Sequence, residues 1–127
     1  MARGLLARLV RKQFATAAVT FVCAVLLTGC NTLPPSKPLD QLTPQEARGH
    51  AVFQAQCARC HHANSIKPLN GPGLQALYKK PYLPSGAPAN DERMRAVILN
   101  GHNMMPAFGN VLDEQQLEDL MAYLHTL

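Results

Sequence analysis

Two thiols and an imidazole fall within five residues, Cys57-Ala58-Arg59-Cys60-His61, and no other stretch of the chain concentrates so much chemistry. The spacing C-x-x-C-H suits covalent attachment of a c-type haem. Each thiol can form a thioether to a vinyl group, and the histidine that follows can ligate the iron. At ordinary Cys and His frequencies a chance match is expected in roughly one chain of this size per thousand, so the motif governs the reading. Two other uses of the same side chains fit less well. A Cys₂His₂ zinc site built with His61 and His62 or His102 wants a second spaced ligand pair, which is missing. A redox-active Cys-x-x-Cys wants a βαβ setting, and no stretch alternates convincingly as a strand.

An iron held by His61 has a second axial position to fill. His102, Met104 and Met105 share one short loop able to reach it. A thioether sulfur there raises the reduction potential, whereas a second imidazole would lower it. Pro106 restricts Met105 to an extended backbone from which its side chain could aim inward, leaving Met104 to point elsewhere. His50, His62 and His125 read as surface residues. Tyr78 and Tyr82 could each hydrogen-bond a haem propionate.

The elements that must position these groups read as helices. Thr43 is a plausible N-cap, Pro44 suits the first helical position, and Glu46 completes a capping box. The helix that follows runs into the cysteine motif, with Ala47, Ala51 and Phe53 expected to face inward. A second helix is predicted over 92–100, capped by Asn90 or Asp91 and stopped by Gly101; Met94, Val97 and Ile98 form its apolar face. A third begins at Glu114, where Asp113 and Gln116 can form a capping box, with Leu117, Leu120, Met121 and Leu124 on one side. The Pro- and Gly-rich segment 65–89 holds at most a short helix near 74–78. The fold class expected is all-α: a small domain of three or more helices wrapped around one covalently attached haem. With about 85 residues and long irregular loops, such a domain needs a staple, so the haem-free chain is expected to be largely unfolded.

The other two cysteines lie in the first 30 residues. Arg3, Arg8, Arg11 and Lys12 precede an apolar run from Phe14 to Leu27, which has the length of a signal-peptide core and is short for a membrane span. The run ends in Leu27-Thr28-Gly29-Cys30, which resembles a bacterial lipobox. Residues 1–29 are therefore expected to be a removed lipoprotein signal peptide, with Cys30 the lipidated residue. Residues 30–42 are expected to form a Pro-rich tether and residues 43–127 the haem domain. Three chains on one cysteine exceed what stable membrane anchoring requires. Asn31 resembles sorting signals that favour the outer membrane, though the inner membrane stays open. The four basic residues of the signal account for the whole positive excess, and the remaining eight balance eight acidic ones. Nucleic-acid binding therefore has no support.

From Thr43 to Leu127 the chain resembles a class I cytochrome c. Gly71-Pro72-Gly73-Leu74 is similar to that family's G-P-x-L segment, and the resemblance implies that the Pro72 carbonyl accepts a hydrogen bond from His61. Asn103-Met104-Met105-Pro106-Ala107-Phe108 resembles its M-P-x-F loop, which implies Met105 as the distal ligand. Gly49 and Phe53 match the positions where its first helix meets its last. The resemblance implies cofactor-binding residues Cys57, Cys60, His61, Pro72 and Met105, metal ligands His61 and Met105, and one haem c. It further implies a one-electron carrier, not an enzyme, that serves redox partner proteins at the membrane and takes no small-molecule substrate. With the lipobox, the expected setting is the periplasmic side of a bacterial membrane, in a respiratory or related chain. The exposed haem edge is expected near His62, Ala63 and Phe108. A cytochrome subunit of a larger oxidase or dehydrogenase is the alternative, followed by a haem peroxidase or gas sensor with a labile methionine.

Overall fold

The computed structural model describes residues 33–127, and the expected signal peptide and Cys30 lie outside it. Three α-helices form: α1 over Pro44–Gln56, α2 over Asp91–Asn100 and α3 over Glu114–Leu124. Among the described residues no β-strand forms; two isolated bridges pair Tyr82 with Pro88 and His102 with Met105. Each helix starts on a side-chain cap. Thr43 with Glu46 and Asp113 with Gln116 make reciprocal capping boxes, and Asn90 accepts from the Arg93 N–H. These caps satisfy donors that the first helical turn leaves unpaired.

α1 crosses α3 at Gly49, where a Cβ would overlap the Asp119 carbonyl. Only glycine allows this approach. Phe53 and Tyr123 meet there, with ring centroids 5.5 Å apart, and both are among the most deeply buried side chains. The inward face of α1 is thus Gly49 and Phe53, while Ala47 and Ala51, expected inside, are exposed. They lie two positions before each of those residues, about 200° around the helix. Asp119 is buried at this crossing and is held by Arg48, with Nε to Oδ2 at 2.7 Å and a second guanidinium nitrogen to Oδ1 at 2.9 Å.

On α2, Met94 and Ile98 are buried; on α3, Leu117, Leu120, Met121 and Leu124 are. The long middle segment contributes one short 3₁₀ turn, Leu77–Lys79. The Pro-rich stretch does not hang free along its described part. The Lys37 N–H donates to the Thr126 carbonyl at 2.8 Å, Lys37 Nζ lies 2.6 Å from Glu46, and Leu42 packs on the core. A backbone donor and an apolar side chain found partners that composition alone did not indicate.

Candidate functional site

The cysteine motif follows directly from the end of α1. The Cys57 and Ala58 N–H groups both donate to the Phe53 carbonyl, and those of Cys60 and His61 to the Cys57 carbonyl, so the motif coils into a tight turn. The chain then folds back on itself. The Gly71 N–H donates to the Cys60 carbonyl at 2.7 Å and the Leu74 N–H to the His62 carbonyl at 2.9 Å. This return brings the Pro72 carbonyl to 2.8 Å from His61 Nδ1. A carbonyl can only accept, so Nδ1 carries the proton and Nε2 keeps its lone pair free for a metal. Gly71 is required beside it, because a Cβ there would overlap the imidazole.

The methionine loop is fixed at both ends by α2. The Gly101 N–H donates to the Val97 carbonyl, and those of Phe108 and Gly109 to the Ile98 and Leu99 carbonyls at 2.9 and 3.1 Å. These are carbonyls the last helical turn would otherwise leave unpaired. Between them, His102 and Met105 exchange backbone hydrogen bonds of 3.1 and 2.9 Å, and Asn103 takes a positive φ of 52°. Asparagine tolerates that conformation better than most residues. Met104 therefore sits at the tip of the turn, 88% exposed. Met105 sits on its return, half-buried against the core.

Cys57, Cys60, His61, Pro72 and Met105 all line one cavity of about 580 Å³. Phe53, Met94, Ile98, Leu120 and Leu124 supply much of the apolar wall. Packed interiors rarely keep voids larger than a water molecule, so this volume calls for a large apolar occupant. Two thiols and a free imidazole nitrogen on its wall match the attachment chemistry of a haem, and the residues fit that group.

The competing uses of the motif gain nothing. Burial, and next the neighbouring Cys60, push the Cys57 thiol up to about 11. A reactive Cys-x-x-Cys needs the opposite. Among the described residues no three His, Cys, Asp or Glu side chains converge as a metal cluster.

Several expectations change. Tyr78 does not line the cavity: its ring stacks on His125 at 4.0 Å, and burial raises its hydroxyl well above the ordinary range. Tyr82 also lies off the lining and is exposed. Phe108 is a buried wall residue and not an edge, because its N–H is held by α2. His62 and Ala63 lie off the lining, whose exposed rim includes Arg59, Asn70, Pro72, Pro84, Ser85 and His102–Met104. His50, expected on the surface, is half-buried against Tyr123. Leu83, Pro84 and Ser85 line the cavity from a segment whose Pro/Gly-rich composition signalled only a loop.

Residues 25–124 match the family model described as cytochrome c oxidase, cbb3-type, subunit III. The chain belongs to the cytochrome c family. It is 33% identical over 103 residues to cytochrome c6 of Rippkaea orientalis, covering 80% of this chain and 78% of the relative. Against cytochrome c6 of Diacronema lutheri it is 36% identical over 81 residues, covering 61% of this chain and 90% of the relative. A solved cytochrome c6 from the diatom Phaeodactylum tricornutum aligns with a TM-score of 0.46 at 31% identity, over 62% of this chain and 88% of that one. As a c-type cytochrome the chain carries one covalently bound haem c, and Cys57 and Cys60 fit its attachment motif.

Proposed function

We propose that this cytochrome is a lipid-anchored one-electron carrier on the periplasmic side of a bacterial membrane, with His61 and Met105 as the axial ligands. When bound, the haem supplies a one-electron redox centre whose iron changes only its oxidation state. The observation that carries the reading is the shared cavity, which brings the free Nε2 of His61 and the half-buried Met105 to one apolar site. The Pro72 carbonyl fixes the tautomer and the ring plane of His61. The turn at Asn103 separates Met105 from Met104, and the wall from Phe53 to Leu124 gives the site its apolar lining. Cytochrome c6 relatives support a carrier.

Lipidation at Cys30 follows from the Leu-Thr-Gly-Cys pattern and the basic, apolar stretch before it. An amphiphilic protein with a diacylglycerol-bearing Cys30 is expected, and a water-soluble one with an unmodified Cys30 would remove the anchor. The central test is spectroscopic. The purified protein should give a c-type haemochrome, titrate reversibly with one electron, and resist rapid binding of carbon monoxide when reduced. Fast uptake of that gas at neutral pH would overturn the carrier reading in favour of an open-site enzyme or sensor.

A second reading, a cytochrome subunit of a larger complex, has its own support. The family model is described as an oxidase subunit. In addition, 78 residues are 35% identical to a quarter of the "cytochrome bc1 complex cytochrome c subunit" of Mycobacterium bovis. Stoichiometric co-purification with a membrane complex would favour it.

A further inference from the structure

We propose that the face formed by Leu33, Ser65–Leu69 and Lys79 rests on an anionic lipid bilayer and so fixes the orientation of the haem cavity. This rests on the reading of Cys30 as the lipidated residue. Seven residues along the chain from Cys30, the Lys37 N–H is hydrogen-bonded to Thr126. Fully extended, that stretch spans at most about 25 Å. A nearer contact tightens the limit. Gln75 Nε2 lies 3.5 Å from the Pro34 carbonyl, only four residues from Cys30, a reach of at most about 14 Å. A lipid on Cys30 therefore brings the membrane surface close to Gln75.

Gln75 carries its neighbours with it. Its N–H donates to the Ser65 carbonyl at 3.3 Å, and the Ser65–Lys67 backbone packs so closely on Gly73 that a Cβ would overlap it. The face so placed has the chemistry of a bilayer contact. Ile66 is 59% exposed, Leu69 50% and Leu33 39%. Lys67, Lys79 and Lys80 pair with no carboxylate among the described residues, whereas Lys37, Arg48, Arg93 and Arg95 all do. A charge total near zero thus hides four unpaired cations among the described residues, three of them in the segment 67–80 and the fourth, Arg59, on the cavity rim. Asp40, also on the N-terminal strap, lies further along the chain from Cys30 than the Lys37 hydrogen bond. Apolar side chains flanking lysines suit the headgroup region of an anionic membrane. Asn70, Gly71 and Pro72 follow this loop directly and line the cavity, so the rim is held at the level of membrane-embedded partners.

The test uses the full-length, haem-loaded protein in vesicles of phosphatidylethanolamine and phosphatidylglycerol. A nitroxide is attached in the variants Ile66→Cys and Val111→Cys. Val111 is 53% exposed and precedes α3, whose length of about 16 Å separates it from Thr126. The label at 66 should lose collisions with a water-soluble nickel relaxant and gain them with oxygen, while the label at 111 stays in water. Charge reversal by Lys67→Glu with Lys79→Glu should return the label at 66 to water without releasing the protein from the vesicle. The mass of the Cys30 peptide is read from the same sample. A lipidated Cys30 with the label at 66 in water overturns this proposal and leaves the lipoprotein reading intact. An unlipidated Cys30 overturns both. A label shielded only after an acidic partner protein is added overturns the bilayer contact and assigns the face to protein docking.

Discussion

Replacing Gly49 by alanine sets two effects of known size against each other. As a helix-interior change, Gly→Ala should stabilise by roughly 0.8–1.0 kcal/mol. At the crossing of α1 and α3, however, the new methyl would overlap the Asp119 carbonyl and come 2.9 Å from Tyr123 Cβ. One obstacle is backbone and the other is a Cβ, so neither can swing aside, and the helices must separate. Overpacking of this kind costs typically about 1–3 kcal/mol, occasionally more. Separation also loosens Phe53, Leu120 and Tyr123, the largest fully buried side chains. With the gain offsetting part of the cost, net destabilisation should be up to about 2 kcal/mol. For a domain of this size that lowers Tm by up to roughly 15 °C. The assay is thermal unfolding of the haem-loaded protein, followed by far-ultraviolet circular dichroism and haem absorbance together. Ala51→Gly, at an exposed position of the same helix, is the control and should cost about 1 kcal/mol from propensity alone. Both substitutions therefore lower Tm, although propensity gives them opposite signs. A rise in Tm for Gly49→Ala would refute the close crossing.

The doubled methionine is separable by absorbance: Met105→Ala should abolish the weak red band of ferric methionine-ligated haem and Met104→Ala should retain it, and the reverse would reassign the ligand. Gly71→Ala should push the His61 ring off the Pro72 carbonyl, reducing haem incorporation by about 10-fold or more; wild-type loading would show that the ring has room to spare. Cys57→Ala with Cys60→Ala should leave a chain without a cooperative thermal transition, and a cooperative haem-free fold would refute the dependence of the core on haem. Hydrogen bonds from Lys37, Arg95 and Arg48 hold Glu46, Glu118 and Asp119 respectively below the usual carboxylate range. Their stabilisation is therefore complete above the unfolded pKa of about 4 and lost as pH falls through the lower folded values. Asp119→Asn should reduce Tm at pH 7 and flatten its fall in acid, and an unchanged acid slope would refute the assignment.

Helix positions were legible because their signals are local. Capping residues sit three positions apart, and Gly101 marks a stop that backbone geometry alone explains. The five cofactor-binding candidates were drawn from three short motifs, with Pro72 and Met105 singled out by the family resemblance. What local sequence could not show was which side of a helix faces a partner distant in the chain. Ala47 and Ala51 look as apolar as Phe53, yet only the contact of Gly49 with Asp119, seventy residues on, decides the buried face. The same limit hid the stacking of Tyr78 on His125 and the attachment of Lys37 to Thr126, both pairings across the fold. Leu83 to Ser85 reached the cavity wall from a loop with no periodicity to read.

The two sides of the cavity that carry the proposed ligands are built by the same physical device, backbone groups that would otherwise lack partners. His61 is oriented by a carbonyl of Pro72, and the residue just before Pro72 must be glycine to leave room for the ring. The Met105 loop is held by the last carbonyls of α2, which accept from Gly101, Phe108 and Gly109. A helix end needs acceptors satisfied, and a ligand loop needs fixed ends, so one set of hydrogen bonds meets both needs. Since α2 also sends Met94 and Ile98 into the cavity wall, any shift of that helix moves wall and loop together. Substitutions on the α2 face should therefore alter the methionine band along with stability, even where they touch neither His61 nor Met105.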